Sequence, residues 1–141
     1  MNEQDAKESG SPLGDVVHRY TRAQALADGV LVDVSEVGHE AGFRWPVAVT
    51  DTVWADCVAW SEKDNAAQTY QDESGRLWDV VYMAAVAVRR ASGGSATLCY
   101  DFLRIPRDGR AQESELVTLK LEVGPGDAGE PIVTIMLPNE S

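Results

Sequence analysis

The run Arg76-Leu-Trp-Asp-Val-Val-Tyr-Met-Ala-Ala-Val-Ala-Val-Arg-Arg90 constrains the fold more than any other stretch, because a segment this apolar must be buried. Its length, about fifteen residues, is too great for an ordinary strand of about six. Ala84, Ala85 and Ala87 favour a helix and disfavour a strand. Leu77, Val81, Ala84 and Val88 recur on one helical face, and Trp78, Tyr82 and Ala85 on a neighbouring one. The spacing therefore predicts a helix covered on more than one side, with Trp78 and Tyr82 in the core. Asp72 or Ser74 can cap its start by accepting from free backbone N–H groups. Arg89 and Arg90 suit the negative end of its dipole, and Gly93-Gly94 stops it.

After this helix the hydrophobic period changes from near 3.6 to 2. Thr97–Ile105 reads as a strand, followed by a turn at Pro106–Gly109. Leu116–Val123 alternates, with Val117, Leu119, Leu121 and Val123 pointing one way. Pro131–Leu137 reads as a third strand after a second turn. Consecutive strands with short connections form an antiparallel meander whose apolar face the helix can cover.

Before the helix, the chain reads as short pieces. Residues 1–14 form a polar, flexible tail, and Val16, Val17 and Tyr20 can begin the packed domain. Thr21–Asp28 is a short helix ended by Gly29, and Val30–Val34 follows as a short strand or an extended segment. Ser35–Ala41 is a helix closed by Gly42. Phe43–Val49 is extended, and Pro46 argues for an edge or irregular position. Val53, Trp54, Cys57, Val58 and Ser61 carry a helix from Thr50 or Asp51 to about Asp64. The expected class is α+β: a helical N-terminal half with a long buried helix packed on a C-terminal three-stranded antiparallel meander, residues 15–141 forming a single domain.

Charge bears on partners. The net charge is −11, and residues 1–75 carry 14 acids and 5 bases against 9 and 7 in residues 76–141. Such a field repels nucleic-acid backbone and anionic lipid and steers toward basic surfaces. The first residues lack the apolar segment of a leader, and no run approaches the roughly twenty apolar residues of a membrane span. The expected location is the cytoplasm, where two buried thiols are the default for Cys57 and Cys99 and a disulfide is not implied.

No motif for chemistry emerges. His18 and His39 stand in no metal-ligand spacing with a cysteine, so neither a metal nor a cofactor is expected. The glycine-rich stretch Gly124–Gly129 leads into a strand, whereas a phosphate loop leads into a helix, so it reads as a turn. No catalytic residue is assigned.

The segments Thr21–Val34, Ala41–Val49, Ser74–Asp79, Gly124–Asp127 and Thr134–Pro138 resemble an uncharacterised family of small acidic bacterial proteins carried on plasmids, integrative elements and phages. The resemblance covers nearly everything after the tail. It implies a mobile-element accessory gene, and such genes often counter restriction or CRISPR defence.

Two functions are therefore expected. The first is an inhibitor or adaptor that docks an acidic face on a basic protein surface, such as a nucleic-acid-binding complex. Its candidate partner-binding residues are Asp28, Asp33, Glu36, Glu40, Asp51 and Asp56, with Trp45 and Trp60 as exposed aromatic anchors. The second is a small nuclease- or transferase-like enzyme using polar residues over the sheet, such as Arg76, Asp79, Tyr100 and Arg104. A homodimer formed through the sheet edge or a tryptophan face is a further expectation. A pocket of convergent polar groups separates the first two readings.

Overall fold

A computed structural model describes residues 20–141. The expectations for the tail 1–14, for Val16 and Val17 and for His18 fall outside the described residues. The element order is α1 (Arg22–Ala27), β1 (Leu31–Asp33), α2 (Ser35–Ala41), β2 (Val47–Thr50) and α3 (Asp51–Val53), which runs into a π-helical turn at Trp54–Val58. Then come α4 (Glu62–Ala67), α5 (Glu73–Arg90), β3 (Thr97–Arg104), β4 (Glu115–Pro125) and β5 (Pro131–Met136).

Helix α5 begins a turn earlier than its apolar run. Asp72 caps it, its carboxylate accepting from the Gly75 N–H at 2.7 Å. Val80, Val81, Ala84 and Ala85 bury one stripe against the sheet. Contrary to expectation, Trp78 and Tyr82 lie outside it, 37% and 39% exposed. One turn apart, they stack on each other with ring centroids 5.3 Å apart, which shields part of each ring without core burial.

The fold is α+β, but its sheet is larger than a three-stranded meander. The described residues form five strands in the order β1-β2-β5-β4-β3. The three C-terminal strands are antiparallel neighbours, with Tyr100 opposite Leu119 and Leu121 opposite Ile135. Beyond them β5 pairs in parallel with β2, Val47 opposite Val133, and β1 closes the far edge antiparallel to β2. The N-terminal half is thus not simply helical: it supplies two strands. Nor is the segment after Pro46 an edge. Val47, Ala48 and Val49 are all fully buried, because a strand covered on both faces is apolar at every position. Pro46 stands just before the ladder, where its missing N–H costs nothing, and its carbonyl accepts from Val133 N at 2.9 Å.

The core lies between the sheet and a layer of α2, α5 and the π-turn. On the opposite face Arg22 donates to Thr134 Oγ1 and Val133 O at 2.9 and 3.1 Å. The Asp127 carboxylate accepts from the first N–H groups of α1, Arg22 N and Ala23 N, at 2.8 and 3.0 Å. The strand phase of β3 turns Tyr100 and Phe102 inward. It therefore turns Cys99 outward, and that thiol is exposed rather than in the core.

Gly38 lets α2 approach β2. A Cβ at this position would stand 2.7 Å from Val47 Cγ2. Gly38→Ala should therefore lower stability by about 1–3 kcal/mol in a thermal melt, although alanine is the better helix former by about 1 kcal/mol. A rise in melting temperature would contradict this close approach.

The C-terminal segment is tied back by Glu140. Its carboxylate accepts from Thr50 Oγ1, Thr52 Oγ1 and Leu137 N at 2.9, 2.6 and 2.7 Å. Burial alone would raise its pKa, but these bonds and the charge of Lys120 more than offset that, and the net shift is downward. A depressed folded pKa means stability that is present above the ordinary 4.5 and lost as pH falls through the folded value. Glu140→Gln should be less stable than the native chain by about 1 kcal/mol near neutrality. That difference should shrink as pH falls below the ordinary value, which urea titrations at several pH values would show.

Candidate functional site

The expected partner-binding residues separate into two places. Asp28, Asp33, Glu36, Glu40 and Asp51 follow the edge strand β1 and its flanking elements, and all five are exposed. Asp28 caps the end of α1 and accepts from Tyr20 Oη at 2.8 Å. Asp51 N donates to Val30 O at 2.9 Å, which sets Asp51 beside the start of β1. Asp33 ends β1 and accepts from the Ser35 hydroxyl at 2.6 Å, fixing the turn into α2. Glu36 and Glu40 sit one turn apart on that helix. Trp45, in the loop before β2, is 45% exposed.

Asp56 and Trp60 do not belong to this edge. The expected helix from Asp51 to Asp64 is broken by the π-turn and by extended backbone at Ala59. The wider turn shifts every later position. Trp60 is turned inward, 6% exposed, where its Nε1 donates to Asn65 Oδ1 at 2.8 Å. Helix α4 then restarts after Ser61, whose N–H and hydroxyl both donate to the Asp64 carboxylate at 2.8 and 2.9 Å. Asp56 is held by Arg104, whose Nη2 donates to both carboxylate oxygens at 3.0 Å.

Arg104 in turn lines a cleft of about 200 Å³ between the π-turn, α5 and the end of β3. Cys57, Gln71, Arg76, Asp79, Arg104 and Ser114 contribute its polar lining. Arg76 is the centrepiece, only 3% exposed. Its Nε donates to Val58 O at 3.1 Å and its Nη1 to Ile105 O at 2.9 Å. The guanidinium lies 4.6 Å over the Trp60 ring. Burial, with the neighbouring Arg104 charge, pulls the Arg76 pKa down. Burial also acts on Arg104, but the Asp56 bond and charge outweigh it and the net shift is upward.

The cleft offers hydrogen-bond donors rather than a ready nucleophile. Burial and the Asp56 charge push the Cys57 thiol up to about 11, so it stays protonated at neutral pH. Tyr100, expected beside Arg76, Asp79 and Arg104, is not with them. Its hydroxyl is buried and donates to Val80 O at 2.9 Å. Arg76, Asp79 and Arg104 do meet. Gln71, Cys57 and Ser114 join them from segments that no sequence motif links. The available signal was an arginine at the head of an apolar helix run.

Among the described residues, no three side chains of His, Cys, Asp and Glu gather closely enough to hold a metal ion. No helix among them is long and apolar enough to cross a membrane. The chain belongs to a family of unknown function (DUF6573), whose sequence profile matches residues 12–141. No curated protein and no solved structure matches it.

Proposed function

We propose that this member of a family of unknown function is a mobile-element accessory protein that docks its acidic edge on a basic surface of a host or defence protein. The edge would stand in for a nucleic-acid backbone, in the manner of an inhibitor of restriction or CRISPR machinery. The supporting observation is the run of five exposed carboxylates along β1 and its flanks, with Trp45 exposed nearby. Carboxylates, like phosphates, accept paired bonds from arginine, and an exposed ring adds apolar contact. The cleft supports an enzyme less well, because its thiol is held protonated and Tyr100 is committed to the core.

The test is capture of partners from a bacterial lysate by the tagged chain, beside the triple variant Asp33→Lys, Glu36→Lys, Glu40→Lys. The native chain should retain a basic, nucleic-acid-handling protein at low salt, lose it at high salt and release it to duplex DNA. Charge reversal at three docked positions should weaken that capture by at least about tenfold. Equal capture by the variant would refute the reading.

A further inference from the structure

We propose that the cleft between the π-turn, α5 and the end of β3 binds a small oxyanion, a phosphate or a carboxylate, between Arg76 and Arg104. The inference is independent of the acidic edge. It starts from an imbalance of donors. Arg76 is almost wholly buried, yet no carboxylate of the described residues forms an ion pair with it. Its Nε and Nη1 are taken up by Val58 O, Ile105 O and, at 3.4 Å, Gln71 Oε1. Its Nη2 has no hydrogen-bond partner among the described residues, and neither does the buried Nε of Arg104, although the weakly accepting Cys57 sulfur lies beside that side chain. Both side chains line the same cleft. Guanidinium N–H groups only donate, so what completes them must accept. Buried donors are normally satisfied, and two left open on one cavity mark a place for a ligand.

The charge of that ligand follows from the pair. Of the two guanidiniums only that of Arg104 has a bonded carboxylate, Asp56, which leaves the almost wholly buried Arg76 without an ion-pair partner among the described residues. An oxyanion supplies the missing charge and several acceptor lone pairs, in the geometry that arginine recognises best. The cleft volume suits a small anion rather than a nucleotide. Asp79 also lines the cleft, forms no ion pair with either arginine, and its charge would oppose an incoming anion.

These features give the test a sign at each position. Isothermal titration with inorganic phosphate, methyl phosphate and acetate, in chloride buffer, should show saturable binding of at least one probe tighter than about 1 mM. The two phosphate probes and acetate separate a phosphoryl from a carboxylate ligand. Asp79→Asn should tighten binding. Arg104→Lys keeps a cation beside Asp56 but loses the fixed second donor, and should weaken binding at least about tenfold. Near-UV circular dichroism unchanged in both variants would show that the fold is kept. If the native chain binds none of the three probes, the site is wrong. If Arg104→Lys, correctly folded, binds as the native chain does, the assignment to this cleft is wrong.

Discussion

Replacing Arg76 by alanine is expected to destabilise the domain by about 3–4 kcal/mol, among the largest effects of any single change. Two carbonyls, the buried Val58 O and the half-buried Ile105 O, would lose their donor at once. Each such loss costs about 1–3 kcal/mol. The contact with Trp60 would go as well, leaving a gap behind the ring. Against this stands the relief of removing a buried cation, which keeps the total below the sum of its parts. For a chain of this size the loss corresponds to a melting point lower by about 10 °C. Arg76→Lys should rescue little, since one ammonium cannot both reach the two carbonyls and lie flat on an indole. A shift below about 1 kcal/mol in urea unfolding would show that the guanidinium does not brace the π-turn against the end of β3.

Leu119→Ala should cost about as much, about 3 kcal/mol, for a different reason. Leu119 lies on β4, between β3 and β5, with none of its surface exposed. Its removal would leave a cavity at the middle of the sheet, facing α5. Leu116 on the same strand is 66% exposed on the other face. Leu116→Ala should stay within about 0.5 kcal/mol. Measured together by urea denaturation, the two substitutions test the phase of the strand. Equal effects would mean that the register is wrong.

The two leucines also show what could be read in advance. Strand β4 has one covered face, so its alternation survives in the sequence and its inward set is recovered. Helix α2 is equally plain. It runs from Ser35 to Ala41 and ends at Gly42, whose φ of 113° demands a residue without a Cβ. Strand β2 hides for the opposite reason. Buried on both faces, it has no alternation, and its parallel pairing with β5 joins distant parts of the chain. Pro46 sits one residue outside the ladder, in the irregular position the sequence allows rather than on an edge strand.

The tryptophans exchanged places through local geometry. Trp60, offered as an exposed anchor, lies buried beneath Arg76, past the π-turn and the extended backbone at Ala59. Trp78 sits in a run so apolar that core packing seemed required, yet stacking on Tyr82 lets it remain partly exposed. The acids along β1 were legible as a group because they are close in sequence. Asp56 was not separable from them, since its partner Arg104 lies on the far edge strand. The cleft was the least legible feature: it is assembled from segments that meet only in the folded chain.

Hydrogen exchange on the complex with the captured partner locates the docked face. Slowed exchange is expected along residues 28–51, covering β1, α2, β2 and the start of α3, at a salt concentration where the complex persists. The cleft segments around Arg76 and Arg104 should exchange as in the free chain. Protection confined to the β3 edge or to the cleft, with residues 28–51 unchanged, would contradict it and move the functional surface away from the acidic edge.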